Sequence, residues 1–468
     1  MHIVQFSGLF ASCIATMARF TFHLLATLAL SSLTLAVPTQ LQSRKMPTLP
    51  SEDSFYQVPS DIDQAKPGQI LQHRLPPAPI AAFGLDPVKL KATHQIQYRT
   101  TDSHGNATAT VLTVMIPHNA DTSKVLSYQV AEDASSVDCS PSYALQLEAA
   151  RGPLLGTIVT QAELLLIEGA LEQGWVVISA DFEGPKGAYL ANKLAGYATL
   201  DGIRAALNSG SFTGIKSKPT ITMWGYSGGS LATNFAAELQ PSYAPELAIA
   251  GAAVGGTVPN ITNVVTTINR GPFAGFIPTG ILGLCKEYPE LDQVVKQHLK
   301  PEYADKVNKV LSQCLAADAA EFLFQDVVSY FDDKSLIYTN PVAVKVLAEN
   351  ALGQSTPKIP LFWYKSINDE VSPIADSDKV VDKYCSDGAS IEYERDFFSE
   401  HGSLAATAAP KALSWLKKVM NGHVPAAGCS KKTVASSLLD PSTLEILPKF
   451  IIDALLDLLQ KPVGPLFG

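Results

Sequence analysis

An α/β fold built on a largely parallel sheet is predicted by three features of this 468-residue chain. Apolar, strand-like runs alternate with helical patterns from Val125 to Ala253. The pentapeptide Gly225-Tyr226-Ser227-Gly228-Gly229 joins a β-branched apolar run to a helix-forming one. After a long stretch of purely helical pattern, strand-like runs resume at Pro360. Strands separated by helices form βαβ units, and these build parallel sheets.

The elements follow in chain order. Leu24 to Ala36 is an apolar run too short to span a bilayer, preceded by Arg19 and His23 and ending in the small-residue site Thr34-Leu35-Ala36. Residues 1–36 therefore read as a signal peptide, with a membrane anchor as the alternative, and 37–50 as a possible pro-segment. No second apolar run of about 20 residues follows, so the mature chain is expected to be secreted, extracellular and free of a transmembrane anchor. Residues 45–100 are Pro-rich and polar, suited to wrapping the surface. Gln95–Thr100 and Ala109–Ile116 alternate around Ser103-His104-Gly105-Asn106 and read as antiparallel strands. Val125–Val130, Trp175–Ser179, Ile221–Trp224 and Leu247–Ala253 are the next strands, separated by helical stretches over Gln161–Glu172 and Leu200–Leu207.

From Pro259 to Pro357 only helical patterns occur, as in Leu291–Leu299, Ala304–Leu315 and Ala319–Tyr330. This stretch reads as a helical insertion, expected to cap a site on the core; a separate helical domain is the alternative. Pro360–Lys365 and Ser390–Glu394 read as the last two strands and Ala405–Met420 as the helix after them. The organisation is thus 51–258 and 358–429 for the two parts of the core, 259–357 for the cap and 430–468 for a C-terminal tail or flap. Within that tail Leu444–Leu459 is amphipathic and reads as a packed helix, a flap being the alternative.

Composition narrows the function. The chain is 46% hydrophobic, enough for a large core, and its 35 basic against 44 acidic residues argue against a nucleic-acid partner. It carries no Walker loop, no dinucleotide G-x-G-x-x-G, no H-E-x-x-H and no paired C-x-x-C, so no cofactor or metal is expected. Five cysteines remain after the signal segment: Cys139, Cys285, Cys314, Cys385 and Cys429. In an oxidising compartment they allow two bridges and one free thiol, with the pairing open. Asn106-Ala107-Thr108 and Asn260-Ile261-Thr262 are glycosylation sequons.

The chemistry centres on Ser227. In G-x-S-x-G a strand reverses sharply into a helix, lifting the serine hydroxyl above the sheet, and a Cβ two residues before or after would clash. A structural Gly-rich turn is the bland alternative. A serine hydroxyl needs a base, and the base an orienting acid, which on such a scaffold follow in the order Ser, Asp or Glu, His. Three histidines follow Ser227. His298 lies in a polar stretch of the insertion and His423 beyond the last core helix. His401 stands between the last strand and the last helix, where the base belongs. Asp369 fills the loop after Pro360–Lys365 and is the expected acid, Glu370 being the neighbour that could replace it. Gly228 N–H is the first oxyanion donor. The second should come from the loop after Val125–Val130, where Ala131-Glu132-Asp133-Ala134 lacks an HGGG-type run, so pattern alone leaves it open.

With these residues assembled, the chain resembles the fungal secretory lipases. The likeness rests on Tyr128-Gln129-Val130-Ala131-Glu132-Asp133 with Asp138-Cys139, on Asp201-Gly202-Ile203-Arg204-Ala205, and on the turn around Ser227. It continues through Tyr243–Leu247, Gly271–Phe276, Asp369-Glu370-Val371 and Glu400-His401. The resemblance implies an α/β-hydrolase fold with a largely parallel central sheet, an inserted helical cap and a C-terminal flap or tail. It implies Ser227, Asp369 and His401 as the triad and Asp133 as the acidic residue lining the oxyanion hole. A carboxyl donates only when protonated, so a raised Asp133 pKa is expected. Bridges Cys139–Cys314 and Cys385–Cys429 are implied too, leaving Cys285 free, a departure from the family pattern. The cap would shape an acyl tunnel.

The expected activity is ester hydrolysis by a secreted triacylglycerol lipase, acting on acylglycerols at a lipid–water interface. A short-acyl esterase that deacetylates a fungal secondary metabolite is the alternative of the same class, and a catalytically silent hydrolase-like binding protein that of another. A peptidase would need an appended propeller or an acidic cluster for a free amine, and the sequence offers neither.

Overall fold

The computed structural model describes residues 46–81, 87–149, 157–443, Ile446, Lys449 and 461–465. The signal segment, the first part of 37–50 and nearly all of Leu444–Leu459 lie outside the described residues. The described residues from Met46 onward form one compact unit.

Among the described residues ten strands make one sheet: β1 (Ile70–Arg74), β2 (Ala92–Thr101), β3 (Ala107–Ile116), β4 (Asp121–Gln129), β5 (Trp175–Ala180), β6 (Thr220–Tyr226), β7 (Ile249–Gly255), β8 (Leu361–Ser366), β9 (Ile391–Asp396) and β10 (Cys429–Val434). Their spatial order is β1-β2-β3-β5-β4-β6-β7-β8-β9-β10. The pairs β1–β2, β2–β3 and β3–β5 are antiparallel; every pair from β5–β4 onward is parallel. The α/β hydrolase architecture with its mostly parallel sheet is thus the observed one.

The main helices are α1 (Leu164–Leu171), α2 (Asn192–Asn208), α3 (Gly228–Tyr243), α4 (Ile261–Ile268), α5 (Phe276–Glu287), α6 (Pro289–His298), α7 (Pro301–Asn308), α8 (Leu315–Glu321), α9 (Pro341–Glu349), α10 (Ile374–Ser386), α11 (His401–Thr407) and α12 (Ala409–Met420). Helices cover both faces of the sheet, so the central strands are buried on both sides and read as unbroken apolar runs rather than alternating ones. Leu112, Val114, Ile178, Met223 and Val254 form the core under α2 and α3. Leu126, Val177, Trp224, Ala253 and Phe362 form the other layer, under α1 and α12.

Several details depart from the sequence reading. In the stretch Ala319–Tyr330, read as helical, α8 ends at Glu321 and only a 3-10 turn follows, at Val327–Tyr330. β1 pairs inside the stretch read as surface wrapping, because Gln72 and Arg74 bond the Gln97 and Gln95 side chains. β10 lies in what was read as tail, running parallel to β9. Its side chains are almost all exposed, so no hydrophobic period marks it. The last helix is two: α11 ends at Thr407 and Pro410 opens α12 near its N-terminus, a position where proline's missing N–H is harmless. The helix read from Leu200 begins a full two turns earlier, at Asn192.

Between β7 and β8 the described elements are helical, with one isolated bridge, Leu299 to Phe331. Residues of this insertion such as Leu284, Val295, Phe322 and Val346 belong to the same core cluster as the residues under α2 and α3.

Candidate active site

The strand order places the site. β4 is followed in sequence by β5 on one side and then by β6 on the other, so the connections diverge and open a crevice at the carboxyl ends of the strands. Gln129 at the end of β4 pairs with Gly225 at the end of β6. The loop carrying Asp133 therefore lies beside the turn carrying Ser227. Asp369 follows β8 and His401 follows β9, on the same edge.

Ser227 sits at φ 51°, ψ −121°, a conformation L-residues adopt only when the surroundings enforce it. The glycines allow this. A Cβ at Gly225 would stand 2.2 Å from Gly229 O, and one at Gly229 would stand 2.0 Å from Gln129 O. Ser227 N–H donates to Gly255 O at 2.9 Å, which ties the turn to β7. The hydroxyl points at His401, with Oγ 2.8 Å from Nε2.

His401 is the first residue of α11 and is held at three points. Its N–H donates to Glu370 Oε2 at 2.6 Å and its carbonyl accepts from Tyr226 OH at 2.5 Å. Its Nδ1 lies 2.7 Å from Asp369 Oδ2. An ionised carboxylate only accepts, so Nδ1 carries the proton and Nε2 is free to accept from Ser227. Glu400 caps the helix reciprocally with Ser403.

Asp369 is fully engaged. Its Oδ1 accepts from Val371 N–H at 2.9 Å and Ser372 N–H at 2.7 Å; its Oδ2 accepts from Lys365 Nζ at 2.7 Å as well as from His401. Burial alone would raise its pKa, but His401 and Lys365 outweigh that and hold the carboxyl well below the usual carboxylate range. Glu370, the alternative acid, instead fixes the His401 backbone.

Asp133 adopts φ 47°, in the left-handed region that Asp tolerates better than most residues. Its Oδ1 overhangs Gly228: a Cβ on that glycine would stand 1.8 Å from it. Gly228 opens α3, so its N–H has no partner within the helix. The Asp133 carboxyl is buried, and burial pushes its pKa up to about 7 against the pull of His401. Glu163 fixes this loop, accepting from Ala131 N–H and Tyr128 OH, and burial lifts its own pKa to about 8. Behind them burial, then Glu183, drives Glu132 far above a normal glutamate, with Lys286 offsetting part.

Beside Ser227 opens a pocket enclosing about 1190 Å³, its open mouth included. Apart from Ser227, Tyr189, Asp333 and Lys334 its wall is hydrocarbon and glycine, much of it from α4, α5, α6 and α9.

The other singled-out residues lie elsewhere. Bridges join Cys139 to Cys314 and Cys385 to Cys429. The first ties the loop after Asp133 to the insertion just before α8; the second ties α10 to β10. Cys285 is a buried free thiol on α5, and burial pushes its pKa up to about 12, leaving it unreactive. Asn106 is exposed in the β2–β3 turn, while Asn260 is half-buried and caps α4, accepting from Asn263 N–H at 3.3 Å. His298 pairs with Asp332 in the insertion, and His423 is exposed. Sequence reasoning missed Lys365 and the Tyr226 hydroxyl. The available signal was a lysine directly after Leu361-Phe362-Trp363-Tyr364, near the end of a strand that is apolar up to that point.

Known proteins resemble this chain in sequence and fold. The model of the secretory lipase family matches residues 149–428, more than half of the chain. The chain belongs to the secretory lipase family. Lipase A of Arthroderma benhamiae is 49% identical over 421 residues, covering 90% of each chain. Lipase 4 of Candida albicans is 38% identical over 431 residues, covering 90% of this chain and 92% of its own. Among solved structures, Candida antarctica lipase A in its closed state superposes with a TM-score of 0.78 at 31% identity, covering 91% of this chain and all of that one. This secretory lipase is an ester hydrolase of the lipase and esterase type. No helix among its described residues is long and apolar enough to cross a membrane.

Proposed function

We propose that this secretory lipase is a triacylglycerol lipase that works through a Ser227–His401–Asp369 triad and an acyl-enzyme. The observation that carries the reading is the unbroken chain of contacts from Ser227 Oγ through His401 to Asp369 Oδ2, opening onto a hydrocarbon-walled pocket.

Ser227 Oγ attacks the ester carbonyl while His401 Nε2 takes the hydroxyl proton. The tetrahedral oxyanion collects donors from Gly228 N–H and the protonated Asp133 carboxyl. The bond to the alcohol oxygen breaks as His401 returns the proton to it, leaving Ser227 acylated. Water, deprotonated by His401, attacks the acyl-enzyme; the carboxylic acid leaves and Ser227 recovers its proton. Asp369 stays ionised and orients the imidazole throughout.

The pocket favours long acyl chains, since each methylene taken from water contributes about 0.8 kcal/mol. Acylglycerols at a lipid–water interface are the substrate class that supplies such chains. The same reading carries removal of residues 1–36, release outside the cell and glycans on Asn106 and Asn260.

Initial rates on p-nitrophenyl esters from acetate to palmitate test it, with Ser227→Ala as control. A maximum at medium or long chains, lost in the variant by about 10⁴-fold or more, is expected. A maximum at acetate would make the protein a short-acyl deacetylase. A rate that does not depend on Ser227 would exclude the triad.

A further inference from the structure

Lys365 is the fifth residue of β8 and is completely buried. A lysine in such a place needs partners for its charge, because an unpaired buried ammonium is strongly destabilising. It has two: Nζ donates to Thr257 O at 2.9 Å and to Asp369 Oδ2 at 2.7 Å. The second oxygen is the one that receives His401 Nδ1–H, also at 2.7 Å. Both nitrogens bond one oxygen atom, which brings the ammonium within roughly 6 Å of the imidazole, the range in which one charge shifts another's protonation.

The surroundings define the sign. Asp369 and Glu370 from the β8 loop and Asp376 from α10 act on Lys365, while Asp133 from the loop after β4 acts on His401, whose carbonyl accepts from the Tyr226 hydroxyl of β6. Among these groups Lys365 is the one standing cation; His401 becomes a second only when protonated. An ammonium on the shared oxygen weakens the carboxylate's attraction for an imidazolium and repels that imidazolium directly.

We propose that Lys365 is a positioning residue of the triad: by sharing Asp369 Oδ2 with His401, its ammonium fixes the carboxylate and disfavours the protonated imidazole, so that ester turnover extends to lower pH than Ser227, His401 and Asp369 alone would allow. This rests on the triad reading above. Burial lowers the Lys365 pKa on balance, and Asp369, Glu370 and Asp376 offset part of that; the hydrogen bonds to Thr257 O and Asp369 Oδ2 are what favour the ammonium here.

The test is the pH dependence of kcat/KM on p-nitrophenyl butyrate, sampled with an alkaline quench. It uses the full chain and the variants Lys365→Met, Lys365→Gln, Lys365→Arg and Ser227→Ala. Met and Gln remove the charge, Gln keeping a donor; Arg keeps both. The acid limb should move up by about one pH unit in both neutral variants, so that about tenfold activity is lost on the acid side while the plateau changes less. Lys365→Arg should keep the acid limb of the parent. An acid limb that stays in place in folded neutral variants, or neutral variants that do not fold, would make Lys365 a stability residue and overturn the proposal. A parent rate that survives in Ser227→Ala would instead remove the triad reading on which it rests.

Discussion

Asp133 shows at the scale of one side chain how burial becomes chemistry. A carboxylate can only accept hydrogen bonds, so beside a developing oxyanion it would repel. Burial raises its pKa to about 7, which keeps the proton in place through the acidic range. The donor is present below that value and is lost as pH rises through it, so the parent enzyme should lose rate above about pH 7. Asp133→Asn keeps a donor at every pH: its activity should match the parent in acid within about tenfold and should lack the alkaline decline. Asp133→Ala removes the donor and should lower kcat by roughly 10²–10³ below about pH 7, where the parent carboxyl holds its proton, and the gap to the parent should narrow above it. Identical pH profiles for the parent and Asp133→Asn would take the carboxyl out of the mechanism. That Ser227, His401 and Asp369 come together was legible as an expectation, because a nucleophile, an acid and a base must follow one order on this scaffold. Lys365 and Tyr226 were not legible in the same way, since they contact Asp369 and His401 from neighbouring strands and carry no spacing of their own.

At the scale of elements, the insertion between β7 and β8 decides what the site can hold. Ile281 lies half-buried on α5 and lines the pocket among Val264, Ile277 and Leu284. An acid there would place a charge against the acyl chain without emptying the core. Ile281→Asp should therefore reduce kcat/KM for palmitate esters by about 10–100-fold while acetate esters change little, because a polar group beside hydrocarbon forfeits roughly 1–3 kcal/mol. Equal losses on both esters would mean that α5 serves folding rather than the acyl chain. The helical pattern of 259–357 was readable from residue types; which helical faces line a pocket was not, since both the core-facing and the pocket-facing stripes are apolar. β10 was unreadable for the opposite reason. It is an edge strand with exposed polar side chains such as Lys431 and Lys432, and backbone pairing with β9 defines it.

Across the whole molecule, buried carboxyls set the pH response of stability. Burial raises Asp133, Asp181 and Asp318 to about 7 and Glu163 to about 8. Unfolded, these groups titrate near 4. A carboxyl whose folded pKa is raised contributes stability that is complete below about pH 4 and is lost as pH rises through the folded value. Asp369, held low, works the other way: its contribution is present above about pH 4 and disappears in stronger acid. The two trends leave the maximum in weak acid. Tm should fall steadily between about pH 5 and 8; a Tm that rises over this interval would contradict the burial of these groups as protonated acids.

The sequence by itself determined the class of the fold, the residues proposed as nucleophile, base and acid, and the presence of a helical insertion. Each of these rests on local rules: strand and helix periodicity, the steric demands of a tight turn around Ser227, and chain order. The family likeness added the bridges and Asp133. Only the tertiary structure decided what happens across strands: that Asp133 overhangs Gly228, that Glu370 holds the His401 backbone rather than its ring, and that Lys365 shares Asp369 with His401. Hydrogen bonds and burial act through space between residues far apart in the chain, and their strength depends on a dry interior that forms only when the sheet and its helices close together.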